Sequence, residues 1–423
     1  MSRSDSVRRA LLGFGSQGFN AASNLLVSVG VAHAASAASF GAFSLVYLTA
    51  QTVLVVVRAA TSLALLVTTD ANAPERRNWI NQSLSASALA GMLFGIGFAA
   101  AGLLLSDESR IACFVMAAAM PVWLLQDAIA YVAIYLGRPG QALVTNVIWL
   151  GFQAMFMVSG WIFFSSRPWV AQVAWVCGVV CAAAYGVLWL SPRLSVAAGS
   201  AWLNSRFRAI VDLVGDNFLQ QVGQQSLSYI LGVGVGLAGV AAYRATQVPF
   251  GLLRTVTQGI VPVSIVDGKR WVSTRGPASI YRFVFMWAIC AGIGAAVLGA
   301  LLLCVPDHYG ASILGAAWSG ARGIVPLVTI SMVGVNVNLA ALVGLRILGA
   351  TRATLLLRFP NISLQLVGAG VGAFGGLHWA LGGYLIGVWL CVPISAYFLR
   401  GAVVAAKSDN AGASAVAASG HSA

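Results

Sequence analysis

Long apolar blocks, each broken by a short polar stretch, recur from one end of the chain to the other. The blocks fall near residues 10–32, 40–68, 82–105, 111–137, 141–164 and 168–190, then near 213–239, 244–266, 281–304, 321–346, 353–374 and 378–400. About 20 apolar residues in a helix cross the hydrocarbon core of a bilayer. The pattern predicts an all-α polytopic membrane protein with twelve transmembrane helices. A polar, basic segment with Asn204, Arg206 and Arg208 separates the sixth block from the seventh. The expected organisation is a six-helix bundle over 1–208 and a second over 209–402. A tail of small residues over 403–423 is expected to be disordered and cytoplasmic.

Composition removes the alternatives. Of the 423 residues 59% are hydrophobic and 8% charged, with a mean hydropathy of +0.87. Neither a soluble domain nor a disordered chain has that balance. The net charge of +13 would suggest nucleic acid in a soluble protein, but here it follows membrane orientation. With the N-terminus inside, sixteen of the Lys and Arg residues fall in inner segments and three, Arg110, Arg167 and Arg322, in outer ones. That asymmetry places both termini in the cytoplasm and leaves no call for a nucleic-acid partner. The apolar run from Ala10 reaches no cleavage site, so a removable signal peptide is not expected. Six cysteines and four histidines are scattered without metal-ligand or disulfide spacing; no metal or cofactor is expected.

The two halves repeat. At an offset of 200 residues, Gly41-Ala42-Phe43 meets Ala241-Ala242-Tyr243, and Gln17, Asn20, Asn24 and Ser28 meet Asn217, Gln220, Gln224 and Ser228. Steps of three and four keep each set on one helix face. Later the offset is 212: Leu136-Gly137 meets Leu348-Gly349, and Gln153 meets Gln365. Amides facing lipid are costly. Two polar stripes at matching places therefore predict pseudo-symmetric bundles around a hydrated central cavity, although interhelical packing also uses such residues.

Five arginines lie within the apolar blocks: Arg58, Arg244, Arg254, Arg346 and Arg358. Arg58 and Arg254 sit deepest, one from each half, on the second and eighth helices. An arginine at the bilayer centre costs about 2.5–3.5 kcal/mol on insertion scales. The economical explanation is an ion pair, with Asp127 in the fourth helix as partner and Asp216 as a further carboxylate. Arg244, Arg346 and Arg358 lie nearer helix ends, where snorkelling suffices; Arg358 matches Asn146 of the first half. Arginines outnumber acids, which suits an anionic ligand, and guanidinium is well shaped for pyrophosphate.

Ser39-Phe40-Gly41-Ala42-Phe43-Ser44-Leu45, with Arg58-Ala59 further on, resembles the opening of O-antigen and polysaccharide (Wzx-type) flippases of the multidrug/oligosaccharidyl-lipid/polysaccharide (MOP) superfamily. Leu125-Gln126-Asp127, Leu136-Gly137-Arg138-Pro139 and Ala142 are similar to the same branch. The resemblance implies a non-enzymatic transporter of the bacterial cytoplasmic membrane that moves polyprenyl-pyrophosphate-linked oligosaccharide outward by alternating access, for surface polysaccharide biosynthesis. Arg58 and Arg254 would hold the pyrophosphate, with Arg358 as a further contact. Gln17, Asn20, Asn24, Asn217, Gln220 and Gln224 would bond the glycan. Asp127 would restrain the arginines or carry a coupling ion, proton or sodium. The rivals are a cation-coupled drug or metabolite exporter of the same superfamily and a membrane enzyme acting on lipid-linked glycans. The exporter would show an excess of cavity acids. The enzyme would show a catalytic base or a large outer loop.

Overall fold

The computed structural model describes residues 3–70, 73–105, 107–164 and 167–419, all but a few of them in helices. In chain order these are α1 (Arg3–Ala34), α2 (Ala37–Arg58, continued by a π-helical turn Ala59–Leu63 and by Ala64–Thr68), α3 (Arg76–Leu104), α4 (Asp107–Tyr135), α5 (Pro139–Phe164), α6 (Pro168–Leu190) and a short α7 (Val196–Ser205). There follow α8 (Phe207–Gly234), α9 (Leu237–Arg275), α10 (Ile280–Cys304), a short α11 (Asp307–Leu314), α12 (Ala317–Ile347), α13 (Thr351–Ala373) and α14 (Leu377–Ser419). The fold class is thus all-α, as the apolar blocks predict, and no strand occurs among the described residues.

Each of the twelve blocks has its own long helix. Among the described residues, eight of these helices are long and apolar enough to cross a membrane on those grounds alone. Of the other four, α1 and α8 carry amides in their middles, and α9 and α13 carry both amides and arginine. The alanine-rich sequence at the end of the chain continues α14 through Ser419. Alanine is the best helix former, so a run of small residues dominated by it continues the helix it follows.

Local chemistry sets the helix ends. Ser36 caps α2 by accepting from the Ser39 N–H at 3.1 Å, and Ser195 caps α7 by accepting from the Ala198 N–H at 3.1 Å. Pro139 and Pro168 begin α5 and α6, where a missing N–H costs nothing. The repeat is visible in one turn. Gly137 ends α4 at φ 70° and Gly349 ends α12 at φ 73°. Arg138 N–H closes onto Ala133 O at 2.8 Å, and Ala350 N–H onto Leu345 O at 2.9 Å. Both are left-handed glycine stops that a side chain would strain.

By contacts the chain forms two compact units. The first holds Met1–Gly232, Gly236–Gly251 and Asp307–Ala321; the second holds Val233–Val235, Leu252–Pro306 and Arg322–Ala423. Residues 209–232 pack within the first unit. Ile210, Leu213 and Val214 join Leu84, Ile129, Val132 and Trp202 in one apolar cluster, so the hydrophobic contacts of α8 continue past the 208/209 boundary expected from sequence.

The core of the first unit is aromatic. Trp123 and Trp175 meet edge to face at 4.8 Å, Trp149 lies 5.8 Å from Trp175, and Tyr47 stacks 6.1 Å from Trp123. In the second unit Ile280, Val343, Leu345, Leu357, Leu399 and Val403 are buried together. There α13 and α14 approach through glycine. A Cβ at Gly368 or Gly383 would strike the other's carbonyl, and at Gly372 and Gly387, four residues on in each helix, it would strike Trp379 and Leu364. Small residues four apart let membrane helices come this close.

Candidate functional site

Three steps of about one turn along α2, at Tyr47, Gln51, Leu54 and Arg58, mark one face of that helix. At its far end Arg58 pairs with Asp127 of α4 through two bonds: Nε donates to Oδ2 at 2.9 Å and Nη2 to Oδ1 at 2.7 Å. The guanidinium also lies 5.1 Å from the Tyr131 ring, one turn beyond Asp127 on α4. The Arg58 side chain keeps 27% of its surface and Asp127 only 7%. This is the ion pair that sequence held open. Its charges cancel, so Arg58 is not a bare cation.

At the other end of the face, Tyr47 is fully buried and sits in a chain of amides. Its hydroxyl donates to Asn24 Oδ1 at 2.6 Å and accepts from Gln51 Nε2 at 2.9 Å. Asn24 Nδ2 in turn donates to Asn20 Oδ1 at 3.0 Å. Over the Tyr47 ring lies the Arg244 guanidinium of α9, 5.9 Å from the centroid, within cation–π range. Arg244 is partly buried and forms no ion pair with a carboxylate among the described residues. A buried phenol that both donates and accepts is oriented, and it holds the amides and the guanidinium in register. The result is a polar cluster with one uncompensated positive charge, set against an aromatic wall.

The predicted amide stripe of α1 is therefore split by its contacts. Asn20 and Asn24 join the cluster, and Gln17 is exposed. The neighbouring face of α1 is packing. Asn146 Nδ2 donates to Ser16 O and Oγ at 3.0 and 2.9 Å, Gln126 Nε2 donates to Asn146 Oδ1 at 3.1 Å, and Gln153 Nε2 donates to Ser23 O at 3.0 Å. These amides are nearly inaccessible.

In α8, Asn217 and Gln224 are partly buried and Gln220 is exposed; Asn217 donates back to Leu213 O at 2.8 Å. The Asp216 side chain lies outside the described residues. In the second unit Arg254 is exposed and interacts electrostatically with Tyr384, whereas Arg358 is 8% exposed. The 212-residue offset puts Leu339 where the first half has Asp127, and Asn338 where it has Gln126. Asn338 bonds Val388 O at 3.0 Å and receives Ser395 Oγ at 2.8 Å. The second half thus repeats the packing amide without the acid.

Sequence reasoning missed Tyr47 and Gln51 and set Arg244 among the snorkelling arginines. The signal was present: reading back from Arg58 in steps of three and four reaches Gln51 and Tyr47. The phrase Ser39–Leu45 has a packing role, since Phe40, Gly41, Ala42 and Phe43 are buried and a Cβ at Gly41 would strike the Leu237 carbonyl. Among the described residues no three His, Cys, Asp or Glu side chains converge to hold a metal.

No protein-family model matches the chain, and no curated protein matches it. Solved structures do. An inward-facing multidrug resistance MATE family transporter of the MOP superfamily superposes with a TM-score of 0.69 at 14% identity, covering 94% of this chain and 96% of that one. An outward-facing structure of such a transporter gives 0.66 at 14% identity, covering 96% of each. MATE in complex with Br-NRF gives 0.60 at 14% identity, covering 95% of this chain and 96% of that one. The chain therefore has the fold of the MOP-superfamily transporters and is a multi-pass membrane protein. These three solved structures are of MATE transporters.

Proposed function

We propose that this protein is a membrane transporter working by alternating access, with a cargo that carries negative charge and hydrogen-bonding groups. Near full-length likeness to transporters seen facing both inward and outward supports the transport cycle. The observation that carries the cargo class is Arg244, held over Tyr47 beside Asn20, Asn24 and Gln51 without a carboxylate partner among the described residues. Guanidinium and amides together suit a phosphorylated sugar, and lipid-linked oligosaccharide is the cargo we favour on chemistry. In this reading Arg244 holds the anion in the first unit, and Arg254 and Arg358 are the second unit's own anion-binding candidates. Arg58 contributes when cargo displaces Asp127, whose released carboxylate then takes up the coupling proton. Gln17, Asn217, Gln220 and Gln224 supply further hydrogen bonds, with both termini in the cytoplasm of a bacterium.

The second reading, export of drugs or metabolites, has the more direct support from the solved relatives, two of which are multidrug resistance transporters. One experiment separates the two. Purified protein in liposomes is offered a polyprenyl-pyrophosphate oligosaccharide and, in parallel, a cationic dye. Lectin-accessible glycan appearing on the far leaflet without dye movement supports the flippase. Dye movement without glycan transfer supports the exporter.

A further inference from the structure

A cavity of about 330 Å³ opens at one end of the first unit, where α3 begins and α4 and α6 finish. It shares no residue with the cluster around Tyr47. Three arginines line it, Arg76, Arg77 and Arg138, and no Asp or Glu among the described residues does. The rest of the lining is apolar: Ile80 and Leu190 are buried, Leu136 and Trp189 partly so.

One guanidinium is fixed in place. Arg77 Nη2 donates to Leu190 O at 2.9 Å and Ser191 O at 2.7 Å, which ties it across the end of α6. Those carbonyls are orphans of the helix end, and satisfying them covers the negative pole of the α6 dipole. Arg138 follows the left-handed Gly137 and is exposed. The start of α3, after the N-cap residue Glu75, adds the positive pole of that helix, which favours an anion.

We propose that this cavity binds the phosphate headgroup of an anionic phospholipid. A free anion needs the arginines alone, whereas a lipid also explains the apolar floor and the indole at the end of a membrane helix, where tryptophan settles at the water interface. Beside the cavity, Leu188 and Leu194 are 79% and 43% exposed, giving acyl chains a surface to follow. Basic pockets between membrane helices recognise lipid headgroups in this way. The volume lies in the usual range for small-molecule sites, about 300–1,000 Å³. The inference stands apart from the cargo assignment and needs neither reading of it.

The test is lipid retention. Full-length protein is released from nanodiscs holding equal phosphatidylglycerol and phosphatidylcholine, and bound lipid is read by native mass spectrometry. Wild type retains phosphatidylglycerol preferentially. At roughly fivefold per arginine, the Arg76→Gln/Arg138→Gln double variant loses about 25-fold of that preference. Arg282→Gln, which removes a charge elsewhere, loses none. Unchanged preference in the double variant overturns the proposal. A second readout needs no variant: phosphatidylglycerol added to wild type in detergent raises its unfolding temperature, and inorganic phosphate does not. Equal protection by inorganic phosphate identifies a free-anion site and overturns the lipid assignment.

Discussion

Arg58 and Asp127, 69 positions apart, close into a bidentate pair at 2.7 and 2.9 Å, and the acid is the more buried partner. Removing one member of a buried pair leaves the other charge uncompensated, at a cost of about 3–5 kcal/mol. Because Arg58 retains some solvent contact, we expect Asp127→Asn to cost less, roughly 2–3 kcal/mol. Replacing both residues by leucine should recover most of the loss. Thermal unfolding of the three variants in detergent checks this, and a wild-type midpoint for Asp127→Asn would contradict it.

Glycine at close approaches gives a sharper contrast. Gly41→Ala drives a methyl group into the Leu237 carbonyl, and Gly383→Ala into that of Gly368, both backbone atoms that cannot swing aside. Each should destabilise by about 1–3 kcal/mol. A methyl group at Gly18, on α1, would meet nothing within 4 Å, so Gly18→Ala should be neutral or stabilise by up to about 1 kcal/mol. Expression level and unfolding temperature of the three alanine variants would show the ordering.

The amides of α4 and α5 that tie onto α1, Gln126, Asn146 and Gln153, are expected to act as packing. Asn146→Ala removes two bonds to Ser16 and one from Gln126. At about 0.6–1.7 kcal/mol for a hydrogen bond between membrane helices, the change should lower stability measurably. Cargo affinity of the folded fraction should be unchanged. A variant of normal stability with lost binding would move Asn146 into the binding cluster.

Tyr47→Phe isolates one hydroxyl. It leaves the aromatic wall intact but unties Asn24 from Gln51. We expect a stability loss of about 0.5–1.5 kcal/mol and slower transport, because Arg244 then faces amides that are no longer held. Initial transport rates in liposomes provide the measurement; a rate equal to wild type would show that the hydroxyl does not organise the site.

The fold was readable because membrane helices announce themselves by length and apolarity. Even so, among the described residues only eight helices are apolar enough to cross a membrane by composition alone, and α1, α8, α9 and α13 were legible because their loops frame them. The repeat was legible where it governs backbone shape, as at Gly137 and Gly349. The Arg58–Asp127 pair was legible because few acids lie within the membrane. Arg244 was not: its distance from the end of the block made snorkelling sufficient, while its partner Tyr47 lies on another helix nearly 200 residues earlier. No local pattern encodes that cation–π contact. Likewise, spacing alone did not separate Asn20 and Asn24 from the packing amides Asn146 and Gln153, since all four sit at helical intervals on apolar helices.

Equilibrium binding of a polyprenyl-pyrophosphate oligosaccharide to purified wild type and Arg244→Ala tests the central claim most directly. A charged hydrogen bond is worth about 1.5–3 kcal/mol, so the alanine variant should bind roughly 10- to 100-fold more weakly, with Arg244→Lys in between. Equal affinity in wild type and Arg244→Ala, or binding of a cationic dye in place of the anionic lipid, would contradict it.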